Sequence, residues 1–214
     1  HPFELLQPML GRPLVTSAFN VAYNCWLFLM FGTWIWQGFR RSASPLSRRY
    51  LLAFLITWLL GTVALGTFFS SAGPCFYGRL VPGPDPYAPL MAYLAEAGKA
   101  APLWVLDTQN MLWESYATGE GAIAGISAMP SMHVASCVLM TMLAFASGKR
   151  WLGWAFGLFG MAIFLGSIHL AWHYGIDGYA GAAVALLGWW LAGRLLRRSE
   201  AETRPAASRM GVAA

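Results

Sequence analysis

Five long apolar segments dominate this chain of 214 residues and restrict the folds open to it. They lie at residues 17–39, 50–71, 130–147, 151–170 and 175–193, and apart from Asp177 they contain no Asp, Glu, Lys or Arg. A helix needs about 20 mostly apolar residues to cross the hydrocarbon layer of a membrane. We therefore predict an all-α integral membrane protein, a bundle of five visible transmembrane helices.

The composition argues against a soluble helical bundle. The chain is 57% hydrophobic and only 11% charged, which is more apolar than an ordinary soluble domain. The net charge of +5 would suit a nucleic-acid partner, but the basic residues lie in short loops and a tail between the apolar segments. We expect the lipid bilayer as a partner, and no nucleic acid.

The basic loops predict which way the helices run. Basic clusters occur between the first and second segments, between the third and fourth, and after the fifth, so all of them fall on one side. By the positive-inside rule that side is cytoplasmic. An odd number of spans would leave the start of the chain outside, so we predict a further span upstream and six in the full chain. The twelve Arg against two Lys point to a GC-rich genome, and we expect a bacterial inner membrane.

The long segment at residues 72–129 then faces outward. It is rich in glycine, proline and aromatic residues, and apolar residues recur at helical spacing within 87–98 and 103–116. We predict an ordered interfacial cap with short helices at these positions. Residues 1–198 would form a single transmembrane domain, and the small polar residues at 199–214 predict a disordered cytoplasmic tail.

The motif "AMPSMHVA" at residues 128–135 places a histidine at the mouth of the third apolar segment. If Pro130 takes the first helical position, Ser131 and His133 lie in the opening turn, at the outer interface. The free N–H groups and the helix dipole at such an end favour anions, phosphate above all. Ser131 adds a hydroxyl donor.

A second cluster, "HYGID", lies at the turn between the fourth and fifth segments, also on the outer side. His173 and Asp177 are four residues apart, and a carboxylate at this spacing can bond the ring, fix its tautomer and raise its basicity. This pattern is typical of a nucleophilic histidine with an orienting acid. His133 would be the second histidine, for proton transfer.

At "PSMH" and "HYGID" the chain resembles the type-2 phosphatidic acid phosphatase superfamily, whose signatures include Pro-Ser-x-His and His-x-x-x-Asp. It is most similar to the inositol phosphorylceramide synthase-like branch, because Ser167 stands six residues before His173, where phosphatase members have arginine. The resemblance implies that His173 attacks phosphorus and becomes a phosphohistidine while Asp177 steadies it. His133 would protonate the leaving oxygen and then activate the acceptor, without metal or cofactor.

The same resemblance implies a single catalytic domain that acts on a phospholipid or lipid-phosphate substrate. The expected reaction transfers a phosphate-bearing head group of the inositol-phosphate type to a lipid or polyol alcohol acceptor. The alternative is a lipid phosphate phosphatase, which differs only in releasing phosphate to water. In either case the active site would face the periplasm.

The phosphate ligands are less clear, since the chain lacks the Lys-x6-Arg-Pro box of phosphatases. "GRP" at Arg12 has no lysine at the required spacing and precedes the first span. Arg79, the arginine of the outer segment, is the candidate phosphate ligand, with Lys99 a weaker one and Ser131 a hydroxyl donor. His169, one helical turn before His173, either binds phosphate or only packs.

Other classes of protein remain open at this stage. His169, His173 and Asp177 at intervals of four could hold zinc, or histidines from different spans could ligate haem. Gly175 interrupts the helix that a zinc site would need, and neither alternative explains the Pro-Ser before His133. A transporter would place polar residues near the bilayer midplane, whereas these lie at one edge.

Overall fold

The computed structural model describes residues 1–39, 44–120 and 125–203. Within these ranges the chain is 81% helical and has no β-strand, which confirms an all-α fold. The helices, in chain order, are α1 (Pro2–Leu10), α2 (Pro13–Gly38), α3 (Pro45–Phe69), α4 (Tyr77–Leu80), α5 (Ala88–Ala100), α6 (Trp104–Thr118), α7 (Met132–Ala146), α8 (Arg150–His169) and α9 (Gly175–Thr203).

The long helices match the predicted spans. In the described part of the chain, four helices are long and apolar enough to cross a membrane, namely α2, α3, α8 and the stretch Gly175–Ser199 of α9. Proline occupies the first turn of both α2 and α3, where its missing N–H costs no hydrogen bond. Ser44 caps α3 by accepting a hydrogen bond from the Ser47 N–H at 3.1 Å. Inside α3, residues Leu59–Leu65 form a π-helical stretch.

The third predicted span is shorter than expected. Helix α7 has 15 residues, so at a rise of about 1.5 Å per residue it covers about 22 Å, less than the roughly 30 Å of a hydrocarbon core. Pro130 was predicted at the first helical position, but it precedes the helix, and Ser131 is the N-cap. The reason is a tertiary bond, since the Ser131 N–H donates to the Asp177 carbonyl at 2.9 Å. At the far end, Gly148 ends the helix with a φ of +78°.

The bundle is built around α7, which packs against α8 and α9, while α9 also packs on α3 and α2 packs on α8. Helix α9 approaches the start of α7 very closely. A Cβ added at Gly181 would collide with the backbone carbonyl of Ser131. Large apolar side chains such as Phe28, Leu55 and Leu158 remain exposed on the outside of the bundle, as expected for surfaces that face lipid.

We expect Gly181→Ala to destabilise the protein by about 1–3 kcal/mol, the typical cost of overpacking, because its methyl group would meet the rigid backbone of Ser131. Thermal unfolding in detergent measures this. Gly32→Ala is the matched control, since no atom of the described residues lies within 4 Å of a Cβ at Gly32. Equal melting temperatures for the two variants would contradict the close packing of α9 on α7.

The predicted cap is present, and α5 and α6 correspond to the short helices expected within it. It is bonded to the turn that follows α8. The Cys75 N–H donates to the Ala171 carbonyl at 3.0 Å, and Gln109 Nε2 donates to the Leu170 carbonyl at 2.9 Å. Ala171 has a φ of +60°, which is unfavourable for a residue with a side chain. The cap therefore supports a strained turn, and His173 lies at the end of that turn.

The basic residues gather at the end of the bundle opposite the cap. Arg49 donates to the Trp189 carbonyl, and its guanidinium lies 4.4 Å from the centre of the Trp189 ring. Lys149 lines a cavity with Gln37 and Leu46, at the end of α2 and the start of α3. This arrangement agrees with the predicted sidedness, which stays a prediction.

Parts of two predictions lie outside the described residues. Residues 40–43, which carry part of the first basic cluster, are among them, as are residues 204–214 of the expected tail. Helix α9 continues to Thr203, which lies beyond the predicted domain boundary at residue 198.

Candidate active site

The start of α7 and the start of α9 bring the predicted catalytic residues together. The hydrogen bond from the Ser131 N–H to the Asp177 carbonyl joins the two helix ends. The rings of His133 and His173 lie edge to face, with centroids 5.7 Å apart. One phosphate group can therefore contact both rings.

Asp177 lies beside His173, as the spacing of four residues predicts. Its side chain is fully buried, and Oδ2 lies 3.4 Å from His173 Nδ1 while also accepting the Tyr174 N–H at 2.8 Å. Among the described residues, Oδ1 has no hydrogen-bond partner. Because Nδ1 faces the carboxylate, Nε2 is the ring nitrogen left for a substrate.

His133 lies in an aromatic enclosure supplied by α2. Its ring stacks on Tyr23 at a centroid distance of 4.3 Å and contacts Trp26 at 4.0 Å. Trp172 lies parallel to Tyr23 at 6.2 Å. Trp26 is fixed in turn, because its Nε1 donates to Ser136 Oγ of α7 at 2.8 Å. The ring of His133 is therefore packed against two aromatic side chains of α2 as well as against His173.

The sequence motifs did not predict this aromatic enclosure, although the sequence of α2 contains an indication of it. Asn20 and Tyr23 are three residues apart in an otherwise apolar span, and both are buried. Polar residues inside a membrane helix face the bundle interior and often mark a functional site. That spacing could have predicted a polar face on α2, but not which residues it meets.

Ser131 offers a hydroxyl donor at the start of α7, two residues before His133. The side chain is fully buried, and within the described part of the chain its Oγ neither caps α7 nor bonds any other group. The first N–H groups of a helix also lack partners within the helix. Ser131 and the positive end of α7 together provide hydrogen bonds and partial charge that suit a phosphate.

His169 does not contact the histidine pair. It is fully buried, and Nε2 is hydrogen-bonded to Thr16 Oγ1 at 2.9 Å, while the same oxygen lies 2.6 Å from the Tyr93 hydroxyl. This favours the packing interpretation of His169. Its phosphate-binding role stays a prediction.

Arg79 is also held away from the pair. It donates to Asn110 Oδ1 at 3.0 Å, and its guanidinium lies over the Trp113 ring at 5.0 Å, on the exposed surface of the cap. Lys99 is exposed and paired with Glu96 at 2.7 Å. Neither side chain touches a catalytic histidine in the ranges that the structure describes, so the role of Arg79 as a phosphate ligand stays a prediction.

Cavities of different character adjoin the two histidines. A cavity of about 360 Å³ borders His173, and its walls are mostly apolar, with Phe3, Pro74, Ile168 and Ile176 among them. A cavity of about 250 Å³ borders His133 and is lined by Asn20, Tyr23, Asn24, Trp26 and Trp172, among others. The histidine pair thus stands between an apolar space and a partly polar one.

Other reactive groups near the turn are held neutral. Burial raises the pKa of the Cys75 thiol to about 12 and, together with nearby acidic groups, the pKa of Tyr174 to about 12. Neither group competes with histidine as a nucleophile at neutral pH. Among the described residues, no three His, Cys, Asp or Glu side chains form a group that could bind a metal ion. This part of the chain therefore gives no support to the zinc alternative.

A helical membrane bundle with a histidine pair where two helices begin is the class of protein that this fold and site define. A family model described as the PAP2 superfamily matches residues 2–191. The chain belongs to this superfamily, and it is a lipid phosphatase or phosphotransferase. The superfamily predicted from "PSMH" and "HYGID" is thereby confirmed. No curated protein and no solved structure matches the chain.

Proposed function

We propose that the protein is a lipid phosphotransferase of the inositol phosphorylceramide synthase-like branch. It would move a phosphate-bearing head group, of the inositol-phosphate type, from a phospholipid to a lipid or polyol hydroxyl. The observation that best supports transfer is the position of the histidine pair between two cavities, one beside each ring. A hydrolase would need only a path for water beside His133, and not a cavity for an alcohol acceptor.

In the first proposed step, Nε2 of His173 attacks phosphorus while the bond from phosphorus to the leaving alcohol oxygen breaks. Protonated His133 donates its proton to that oxygen, and the alcohol departs. Asp177 would stabilise the positive ring, since its Oδ2 lies 3.4 Å from His173 Nδ1. Among the described residues this Nδ1 makes no hydrogen bond, so a small rotation of the ring would be needed for the carboxylate to accept the Nδ1–H. The product is a phosphohistidine.

In the second step, neutral His133 removes the proton of the acceptor hydroxyl. The acceptor oxygen bonds to phosphorus, the phosphorus–nitrogen bond breaks, and its electron pair returns to Nε2 of His173. Both steps place an alcohol oxygen on the His133 side, so leaving and entering groups use that side in turn. The chemistry requires no metal or cofactor.

The negative charge on the transferred group would be stabilised by Ser131 Oγ and by the N-terminus of α7. Arg79 and His169 remain proposed ligands, and Arg79 would have to leave Asn110 to reach the phosphate. We also propose that the site opens to the periplasm of a bacterial inner membrane. The basic residues at the opposite end of the bundle support this orientation.

The test is a product assay on detergent-purified protein with a set of labelled phospholipid donors, with and without a lipid or polyol alcohol. We expect a new labelled phospholipid or phosphorylated polyol only when the acceptor is present. A His173→Ala sample prepared in parallel corrects for contaminating activities. Release of phosphate or of free head-group phosphate at the same rate without acceptor would contradict transfer and identify a phosphatase.

A further inference from the structure

A cavity of about 470 Å³ lies at the far end of the bundle from the histidine pair, where α2 ends and α8 begins. On α7 it reaches Ser147, fourteen residues after His133, which is about 21 Å along the helix at a rise of about 1.5 Å per residue. The cavity shares no lining residue with the cavities beside His133 and His173. The proposed reaction therefore does not use it.

The wall of this cavity is mostly apolar and borders the outside of the bundle. Phe28 and Trp36 belong to the wall and are also exposed on the outer surface. Tryptophan is enriched where a membrane meets water, and Trp151 and Trp154 are exposed on the adjoining first turns of α8. The cavity thus extends from the level of the lipid head groups toward the acyl chains. Its apolar lining includes Phe28, Leu29, Leu46, Leu143, Leu152 and Phe156.

Two polar side chains of the lining carry donors that no other described residue uses. Gln37 is 8% exposed, and its Oε1 accepts the Ser47 hydroxyl at 2.7 Å. Its Nε2 makes no hydrogen bond within the described ranges but retains accessible surface, so it faces the cavity that Gln37 lines. The Lys149 ammonium forms no ion pair or hydrogen bond with any described residue. Both groups are donors, and an anion is the ligand that they suit.

The start of α8 adds further donors. Lys149 is the N-cap of this helix of 20 residues, no side chain caps it, and Leu152 of the first turn also lines the cavity. The first N–H groups of a helix have no partner within it, and its positive end attracts anions. Among the described residues, the lining contains no carboxylate that would neutralise this charge.

We propose that this cavity binds one anionic phospholipid of the surrounding membrane. The Lys149 ammonium, Gln37 Nε2 and the start of α8 hold its phosphate, and an acyl chain lies along the apolar wall. Basic pockets between membrane helices suit such head groups. A free anion would leave the apolar wall uncovered, and a lipid without net charge would leave the Lys149 ammonium uncompensated. The cavity is thus a second lipid site, separate from the catalytic one.

The experiment uses the two lysines of the chain, Lys99 and Lys149, as reporters. The full chain in an uncharged detergent is treated with an amine-acylating reagent, and mass spectrometry follows the rate at each lysine as phosphatidylglycerol is added. Only lipid-free protein reacts at Lys149, so we expect its rate to fall about tenfold at about ten times the half-protecting concentration. Lys99 is exposed on the cap and pairs with Glu96, so its rate should stay nearly constant. Phosphatidylcholine is expected to need an at least about tenfold higher concentration to protect Lys149.

Two variants test the cavity while Lys149 stays in place. Gly32→Leu fills the cavity without changing any charge, and a Cβ at Gly32 meets no described atom within 4 Å. Gln37→Glu keeps an oxygen for the Ser47 hydroxyl but replaces the amide donor with a carboxylate that repels phosphate. In both variants we expect the half-protecting concentration of phosphatidylglycerol to rise at least about tenfold. Asn110→Asp is the matched control, since it adds the same charge on the exposed surface of the cap, and melting temperatures show whether each variant remains folded.

Several results would overturn this inference without affecting the proposed function, because no turnover is measured. One is a Lys149 that phosphatidylglycerol does not protect. Another is protection that is unchanged in both Gly32→Leu and Gln37→Glu, since it would then come from the general surface charge of the lipid. Equal protection by phosphatidylcholine would overturn the preference for an anionic lipid. Equal protection by glycerol 3-phosphate without lipid would assign the cavity to a soluble anion.

Discussion

Replacing His173 with alanine is expected to lower turnover by at least about four orders of magnitude, as removal of a covalent nucleophile does in other enzymes. In the proposed mechanism Nε2 of this ring attacks phosphorus, while the carboxylate of Asp177 lies 3.4 Å from Nδ1 on the other side of the ring. Without the imidazole of His173, no phosphohistidine is expected to form. The measurement is the rate of product formation, together with acid-labile label retained by the protein after a short incubation with labelled donor.

His169→Gln is the matched control for this variant. His169 is equally buried and lies one helical turn earlier, but it is bonded to Thr16 and not to the pair. Because His169 is not the proposed nucleophile, we expect this variant to lose far less turnover than His173→Ala and to keep the acid-labile label. A His173→Ala protein with a near-normal rate, or with label on another residue, would contradict the mechanism. An equal loss in His169→Gln would give His169 a direct role.

Replacing His133 with alanine is expected to lower turnover of lipid donors by about 10²–10⁴-fold while the protein still folds, because general acid–base catalysis contributes about that much. The effect should depend on the leaving group. A donor ester of p-nitrophenol needs no protonation when its bond to phosphorus breaks, so the first step should be largely restored. The second step still needs a base, and phosphohistidine should therefore accumulate in this variant.

The measurement compares the initial burst of p-nitrophenol with the later steady rate. In the His133→Ala protein we expect a burst of about one equivalent followed by slow turnover, because only the second step remains impaired. Trp26→Phe is the control for loss of packing around the ring, since Trp26 contacts His133 without taking part in the chemistry. A first step slowed by the same factor with lipid and p-nitrophenol donors, seen as the absence of a p-nitrophenol burst, would rule out the role of His133 as an acid.

The sequence predicted the histidine pair because each of the two motifs that point to it spans only a few consecutive residues. "PSMH" and "HYGID" each mark the outer end of an apolar helix, and helix ends on one side of a bundle lie near one another. The structure brings the rings of His133 and His173 together as those motifs indicate. The unused donor of Ser131 also follows from its place at a helix end.

Side chains that depend on packing between distant segments were not predictable in this way. Tyr23 and Trp26 contact His133 from a helix more than a hundred residues earlier in the chain. His169 has the helical spacing to accompany His173, yet its ring bonds Thr16 of α2. The partner of each side chain depends on which helix packs against it. The periodicity within one segment does not predict which helix that is.

The apolar segments by themselves determined that the chain forms membrane helices, because the length and hydropathy of a segment decide whether it can satisfy its backbone within lipid. The motifs determined the superfamily and gave the two histidines that we propose as catalytic. Only the tertiary structure decided where α7 begins, since the Ser131 N–H bonds the Asp177 carbonyl of another helix, and where the cavities lie on either side of the pair. Such features arise from contacts between segments, and those contacts exist only once the bundle has packed.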